Sequence, residues 1–363
     1  MAELEMHEPG VAIPELAPAA RAVGPLEATT GRTRGAERQP PCPAPSRRPT
    51  LGSWRTPLSH RLAEKAIALT AMAAIAAVLL IFAFVLREAL PLAWEELGEE
   101  LHLAELVQAR QWRGYDAAVH VWQPVGTPPK MNILPLLIGT LKITFLAMLF
   151  SVPLGLGCAV YTSFYAGRRV REIAKPAIEL LAGIPSVVLG FFALMLLASW
   201  LQDAFGFTMR LNAVVASVGL SLAIVPIIYT IGEDAILAVP RSLSEAAMAL
   251  GARRYQIALR VVIPAALPGI AAGIILGFGR AIGETMIVLM ASGNAALMEP
   301  LDLTTSVRTI TATIAAELGE VAQGDAHWRV LFLLGALLFA STFVLNLIGR
   351  FAVDRLHRKL SAA

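Results

Sequence analysis

Two charged side chains lie inside an otherwise apolar stretch of the chain. The segment AALPGIAAGIILGFGRAIGETMIVLMAS contains Arg280 and Glu284, which would lie about 22 Å and about 28 Å along a helix that begins at Ala265. Near the centre of a bilayer each charge costs about 2.5–3.5 kcal/mol, and an i,i+4 ion pair returns only about 0.3–0.5 kcal/mol. Two interpretations remain: a buried salt bridge that fixes helix register, or a site where Arg280 meets an anion that crosses the membrane.

Three glycines precede these charges at intervals of four residues. At about 100° per residue, Gly269, Gly273, Gly277, Arg280 and Glu284 fall within one stripe about 80° wide. Glycine at this spacing allows close helix packing. The pattern therefore predicts that one face both approaches a neighbouring helix and carries the charges, in a protein-lined and wet interface rather than in lipid.

The composition predicts that these residues belong to a membrane protein. Hydrophobic residues make up 56% of the chain and charged residues 16%, which lies outside the usual range for a soluble domain. An apolar segment of about 20 residues matches the thickness of a bilayer as a helix. Six segments meet this criterion and predict an all-α, polytopic fold: residues 66–86, 137–163, 173–200, 213–232, 265–292 and 329–352.

Charge in the loops alternates along the chain. Residues 168–175, 241–260 and 350–359 are basic, whereas residues 299–325 are mainly acidic. The positive-inside rule therefore places both termini in the cytoplasm. The predicted order is a disordered cytoplasmic tail (1–60), a first transmembrane helix (61–86), an extracytoplasmic loop (87–132), a core that holds the other five spans (133–355) with a cytoplasmic elbow at 240–264, and a cytoplasmic C-terminal tail (356–363). The arginines of the N-terminal tail precede the first span and do not indicate nucleic-acid binding.

The elbow, residues 240–264, is a polar interruption between two apolar segments. Ser242 and Glu245 have the spacing of a capping box and predict that a helix starts there. Gly251 supplies a left-handed stop after about two turns. A second basic helical run, Arg253 to Ile263, is predicted to end at Pro264 because proline lacks an amide hydrogen.

Motifs of self-contained catalysis are missing from the sequence. It contains no G-x-x-x-x-G-K-[ST] phosphate loop, no H-E-x-x-H, no C-x-x-C and no G-x-S-x-G. The histidines are in loops and tails, so neither a metal site nor a proton relay is predicted. The two cysteines give no disulfide framework. Any energy input is expected to come from a partner protein.

The elbow resembles the EAA loop of ABC-transporter permeases. Seven positions follow that pattern: Glu245, Ala246, Ala247, Gly251, Val261, Ile263 and Pro264. The resemblance implies that the elbow is the coupling helix held in a cleft of a cytoplasmic ATPase. The implied coupling residues are Glu245, Ala246, Ala247, Gly251 and Pro264.

Four further motifs resemble phosphate-specific ABC permeases, and GETM followed by GN favours the PstC-like over the PstA-like subunit. They are GRAIGETMIVLMASGN (279–294), ELLAGIPSVVLGFF (179–192), NILPLLIGTLKIT (132–144) and RTITATIAAELGE (308–320), and the similarity covers roughly residues 60–360. It implies the MetI-like fold of a type I importer in the bacterial inner membrane, in which Arg280 and Glu284 are the intramembrane charges tied to transport. The implied partners are a PstA-like permease, two PstB-like ATPase subunits, a periplasmic phosphate-binding protein and membrane lipid. ATP is then used by the partner, and this chain binds no cofactor.

Two alternatives to phosphate import remain. The cargo could be another oxyanion, molybdate or sulfate, because nothing in the sequence reads phosphate geometry residue by residue. A membrane interaction protein could also share the fold without transporting anything. The intact elbow argues against that second alternative, because such a protein would not need a coupling helix.

Overall fold

The computed structural model describes residues 58–93, 106–112, 114–296 and 298–361. The chain divides into two units, Met1–Lys65 and Ala66–Ala363. In the first unit, residues 58–65 are described and form the start of a helix that begins at Leu58, three residues before the predicted start of the first span. The rest of the predicted tail, and the acidic stretch 94–105 of the predicted extracytoplasmic loop, lie outside the described residues.

Helices dominate the described residues, as the sequence predicts. They are α1 (Leu58–Ala89), α2 (Leu134–Phe164), α3 (Arg168–Ala182), α4 (Ser186–Phe192), α5 (Ala198–Phe205), α6 (Ala213–Leu237), α7 (Arg241–Ala249), α8 (Arg254–Ile257), α9 (Ile263–Gly283), α10 (Met286–Ala291), α11 (Ile310–Glu317) and α12 (Ala326–Ser361). A 3₁₀ turn follows α1, and π-helical turns join α4 to α5 (Ala193–Leu197) and α8 to α9 (Ala258–Val262).

Two very short antiparallel ladders depart from the all-α pattern. Both lie between α1 and α2. They pair β1 (Arg110–Gln111) with β2 (Ala118–Val119), and β3 (Trp122–Gln123) with β4 (Lys130–Met131). Backbone hydrogen bonds from Ile133 to Leu106 and from Asn132 to Val121 attach this segment to the start of α2.

Six helical stretches of the described chain are long and apolar enough to cross a membrane, which confirms the predicted number of spans. They are Leu62–Leu92, Leu134–Phe164, Ser186–Phe205, Ala213–Leu237, Arg254–Gly283 and Ala326–Leu356. The central one is α6, in which 15 of 25 residues are buried. Ile143 of α2, Leu189 of α4, Leu220 of α6 and Ile287 of α10 form the largest apolar core.

The predicted third span, residues 173–200, is wrong at its start. The chain breaks at Gly183–Pro185, and Pro185 has an extended ψ of 138° before α4 begins. The residue before a proline is disfavoured in helical geometry, and Pro185 itself has no amide hydrogen for a helical bond. Residues 173–182 therefore belong to the separate helix α3, in which no residue is buried.

The fifth span also differs from its predicted bounds at both ends. The basic helical run before it, Arg253 to Ile263, does not end at Pro264 as predicted. The amide of Ile263 donates to Ala258 in the π-helical turn, and α9 continues through the proline. Proline is tolerated in the first turn of a helix, where its missing donor costs little. At the other end α9 stops at Gly283, and the predicted helix over 265–292 is divided there.

Candidate functional site

Arg280 lies in the last turn of α9 and its side chain is exposed. Across the part of the chain that the structure describes, it makes no hydrogen bond and no ion pair. It continues a row of exposed residues at four-residue spacing, Ala272 and Leu276. The sequence places this arginine in one stripe with the glycines, but its side chain is exposed, whereas Gly273 and Gly277 are buried.

The three glycines of the stripe face α6. A Cβ on Gly269 would lie 2.6 Å from the Ala235 Cβ, and one on Gly273 would lie 3.0 Å from the Ile231 Cγ2. A Cβ on Gly277 would lie 3.2 Å from the Cγ2 methyl of Ile224, which is also in α6. The glycines thus allow α9 and α6 to approach more closely than larger residues would permit.

Glu284 does not continue the α9 helix, and the structure shows no ion pair between its carboxylate and Arg280. Its backbone is extended, with φ −71° and ψ 130°. Its Oε1 instead accepts hydrogen bonds from the amides of Thr285 and Met286, both at 3.2 Å. These amides open α10, where a carboxylate can satisfy donors that have no helical partner.

A third element binds the break at Glu284. The hydroxyl of Thr311, in the first turn of α11, donates to the Glu284 carbonyl at 2.8 Å. The hydroxyl of Thr309 caps the same turn by accepting from the amide of Ala312. The break is thus closed by polar groups from both sides, which give its carbonyl and the first amides of α10 hydrogen-bond partners.

The four motifs that carry the family resemblance are brought together around this break. In the motif 179–192, a Cβ on Gly190 would lie 3.0 Å from Met290 Sδ and 3.1 Å from the Met286 carbonyl. The motif 132–144 contributes Thr140, whose hydroxyl accepts from the Ile310 amide at 3.1 Å. The four motifs are separate in the sequence and form one assembly in the structure.

The elbow has a helix end of well-defined geometry. Gly251 has φ +80°, which confirms its predicted left-handed role. Its amide donates to Met248, and the amide of Ala252 donates to Ala247, which together form a Schellman motif. The predicted capping box is wrong: α7 begins at Arg241, directly after Pro240, and no side chain caps it.

The remaining elbow residues differ in exposure. Glu245, Ala246 and Gly251 are exposed, whereas Ala247 and Pro264 are half-buried. Ala247 packs against the core that includes Ile257. The elbow therefore has an inner side held by the bundle and an outer side that no described residue covers.

Comparison with known protein families shows to which family the chain belongs. Residues 151–362, more than half of the chain, match the family "Binding-protein-dependent transport system inner membrane component". The chain belongs to this family. It is therefore a permease, a multi-pass protein of the inner membrane, and the predicted family is confirmed.

Curated relatives include PstC proteins. The permease is 33% identical over 257 residues to the phosphate transport system permease protein PstC of Xylella fastidiosa (strain 9a5c), covering 66% of this chain and 78% of that protein. It is 34% identical over 260 residues to PstC of Mesorhizobium japonicum, with the same coverage of each chain. A probable ABC transporter permease of Bacillus subtilis, YqgH, is 33% identical over 236 residues, covering 64% of this chain and 75% of that protein.

Solved structures confirm the predicted MetI-like fold. An inward-facing MetNI methionine ABC transporter superposes with a TM-score of 0.50 at 20% identity, covering 62% of this chain and 97% of the other. A bacterial alginate ABC transporter superposes with a TM-score of 0.54 at 16% identity, covering 82% and 97%. These likenesses concern the fold alone.

The permease also contains a polar cluster that sequence analysis did not identify. Glu317, at the end of α11, accepts from Trp122 Nε1 at 3.1 Å, forms an ion pair with Arg308 and is hydrogen-bonded to His327 Nε2 at 2.9 Å. This Glu317 cluster joins the segment before α2 to α11 and α12, and it lines a cavity of about 950 Å³. Burial raises the pKa of Glu317, but hydrogen bonds from His327 and Trp122 and the charge of Arg308 outweigh it, so the net pKa is lowered.

Acidification is expected to weaken the Glu317 cluster. A carboxylate whose pKa is depressed in the folded protein contributes stability above its unfolded value, 4.5 for Glu317, and loses it as the pH falls through the folded value. The melting temperature of the purified permease should therefore change little through this group from about pH 7 to about pH 5, and should fall as the pH drops below about 4.5. Glu317→Gln should flatten that dependence, because it removes the titrating group.

The matched control is Glu320→Gln, since Glu320 lines the same cavity but is exposed. It should keep the pH dependence of the unchanged protein. If Glu317→Gln and Glu320→Gln melt with the same pH profile, the cluster does not contribute the expected pH-dependent stability.

Proposed function

We propose that this chain is the PstC-like permease subunit of an ATP-driven importer of inorganic phosphate. Its partners would be a PstA-like permease, two ATPase subunits that hydrolyse the ATP, and a periplasmic phosphate-binding protein. The identity of about one third to PstC proteins supports the phosphate cargo. The chain itself then carries no catalytic step.

The observation that carries a transport role is the unpaired charge of Arg280. An arginine in a membrane-spanning helix is costly unless protein, water or an anion neutralises it. No described residue of this chain does so, and in this proposal the second permease and the anionic cargo are its partners. We infer that Arg280 faces the path between the two permeases and meets phosphate there.

Glu284 follows Arg280 by four residues but has a different role in this proposal. Its carboxylate holds α10 in place through the Thr285 and Met286 amides. A negative charge close to the path would repel phosphate, so the role of Glu284 in this proposal is to fix the break and not to contact the anion. Both residues then act on the path, Arg280 by contact and Glu284 by fixing the break.

The proposed contact with the ATPase is the exposed outer side of the elbow, with Glu245, Ala246 and Gly251 at the surface and Ala247 and Pro264 behind them. A short helix such as α7 is only marginally stable alone, and a cleft in a partner would hold it. Both termini and the elbow are then cytoplasmic, and the segment between α1 and α2 is extracytoplasmic, with the domain bounds given by the sequence. The basic loops support this orientation.

Uptake measurements test the cargo directly. Cells lacking the permease should regain uptake of labelled phosphate when the gene is restored, and excess unlabelled sulfate or molybdate should not compete. A restored uptake of labelled sulfate or molybdate, without phosphate uptake, would assign a different oxyanion. Absence of uptake of all three in cells that assemble the complex would contradict a transport role.

A further inference from the structure

Helix α3 is held at one membrane surface by the elements that flank it. The chain leaves one span at Phe164 and enters the next at Ser186, so Arg168–Ala182 must lie near the surface that both spans reach. Two spans separate α3 from the elbow, which places both on the same side. None of its residues is buried within the chain.

One face of α3 is fixed by a buried ion cluster. The carboxylate of Glu233, in α6, is 0% exposed and lies 3.2 Å from Arg171 Nη2 and 2.9 Å from Lys175 Nζ. The hydrogen bond to Glu233 raises the pKa of Lys175, so this side chain stays charged. Arg171 and Lys175 are one turn apart, and their shared face therefore points at α6.

The opposite face of α3 presents apolar side chains without a cover. Ile173 is 72% exposed and Leu180 is 74% exposed. With Arg169 and Pro176 they recur at intervals of three or four residues, which places them on one stripe of the helix. Because the Glu233 cluster fixes the rotation of α3, this stripe cannot turn inward.

The stripe is continuous with the surface of the next span. Val187 and Phe191, in α4, are 47% and 54% exposed, and they follow Leu180 along the chain after the break at Gly183–Pro185. Exposed apolar residues in a membrane-spanning helix face lipid unless a partner covers them. The first turn of α3 carries the adjacent arginines Arg168 and Arg169. Arg168 forms an exposed ion pair with Glu172 at 2.8 Å, and the exposed Arg169 suits the negatively charged headgroups of a lipid surface.

We propose that α3 is an interfacial helix that docks on the lipid surface, with Ile173 and Leu180 among the acyl chains next to the headgroups and its first turn toward anionic headgroups. The Glu233 cluster holds the helix in that orientation. This interaction is independent of the cargo and goes beyond the proposed transport role.

Spin labels in the complete transporter complex test the proposal. The labels are attached to Ile173→Cys or Leu180→Cys in a chain carrying Cys42→Ser and Cys158→Ala, reconstituted in vesicles that contain anionic phosphatidylglycerol. At both positions we expect frequent collisions with oxygen, which dissolves in lipid, and rare collisions with a water-soluble nickel chelate. The ratio of the two should exceed by several-fold that at the matched control Glu179→Cys, which is exposed beside the stripe.

Two outcomes would overturn the proposal. Nickel collisions at 173 and 180 as frequent as at 179 would place the stripe in water. Protection of 173 and 180 from both reagents would mean that the second permease or an ATPase subunit covers it. Phosphate uptake by the same vesicles is measured in parallel, so a wrong cargo is recognised separately from a wrong position of α3.

Discussion

Arg280→Gln should reduce phosphate uptake by about tenfold or more, because a hydrogen bond to a charged group is worth about 1.5–3 kcal/mol and each 1.4 kcal/mol is a factor of ten. The amide keeps hydrogen-bonding capacity and loses the charge that attracts the anion. Membrane abundance should stay unchanged, because Arg280 is exposed and has no partner among the described residues. Labelled-phosphate uptake and immunoblots of membranes measure the two quantities.

Glu284→Gln provides the second arm of this experiment. Its side-chain carbonyl can still accept from the Thr285 and Met286 amides, so the start of α10 should be preserved. Uptake should nevertheless fall, because a neutral amide accepts weaker hydrogen bonds than a carboxylate and fixes the break less firmly. Glu284→Ala removes the acceptor as well, and we expect it to lower membrane abundance in addition.

The double variant Arg280→Gln, Glu284→Gln distinguishes a role of Arg280 in the transport path from a purely structural ion pair. Two residues that only neutralise each other would recover uptake when both are made neutral. The structure shows no such pair within the chain, so the double variant should transport no better than Arg280→Gln alone. Full uptake by the double variant would show that Arg280 is not part of the transport path. The control for the loss of a surface charge is Arg355→Gln, which changes an exposed arginine near the end of α12.

Hydropathy was sufficient to find the six spans, but it misplaced the boundaries that matter for the site. A hydropathy average over residues 173–200 conceals the break at Gly183–Pro185, because apolar residues occur on both sides of it. A helical projection of residues 265–292 assumes a continuous helix, whereas Glu284 ends it by accepting the amides that begin α10. Local backbone bonds decide these boundaries, and composition does not report them.

The polar clusters depend on contacts between distant parts of the sequence. Trp122 and Glu317 are 195 residues apart, and Glu233 meets Arg171 across 62 residues. No spacing rule connects such residues, so the sequence identifies Glu317 only as one of the acidic residues in the region 299–325. Gly251 was predictable because a left-handed stop is a property of a few adjacent residues.

Gly251→Val should uncouple the permease from its ATPase partner. Gly251 has φ +80°, a conformation that costs a residue other than glycine about 1–3 kcal/mol, and a β-branched side chain is poorly suited to it. A penalty of this size corresponds to a loss of about 5- to 150-fold in the population of the native turn. Stimulation of ATP hydrolysis by the phosphate-loaded binding protein should fall accordingly in the reconstituted complex.

The surroundings of Gly251 indicate that backbone strain would cause that effect. A Cβ there would meet no atom within 4 Å, so the substitution creates strain without a steric clash inside the chain. Gly251→Asn is the matched variant at the same position, because asparagine enters the left-handed region more readily than valine. It should retain most of the stimulated hydrolysis, and Gly157→Val, at a second glycine with open space around it, should retain it as well. Equal stimulation of the unchanged complex and the Gly251→Val complex, at equal assembly, would show that the turn of the elbow does not transmit the signal to the ATPase.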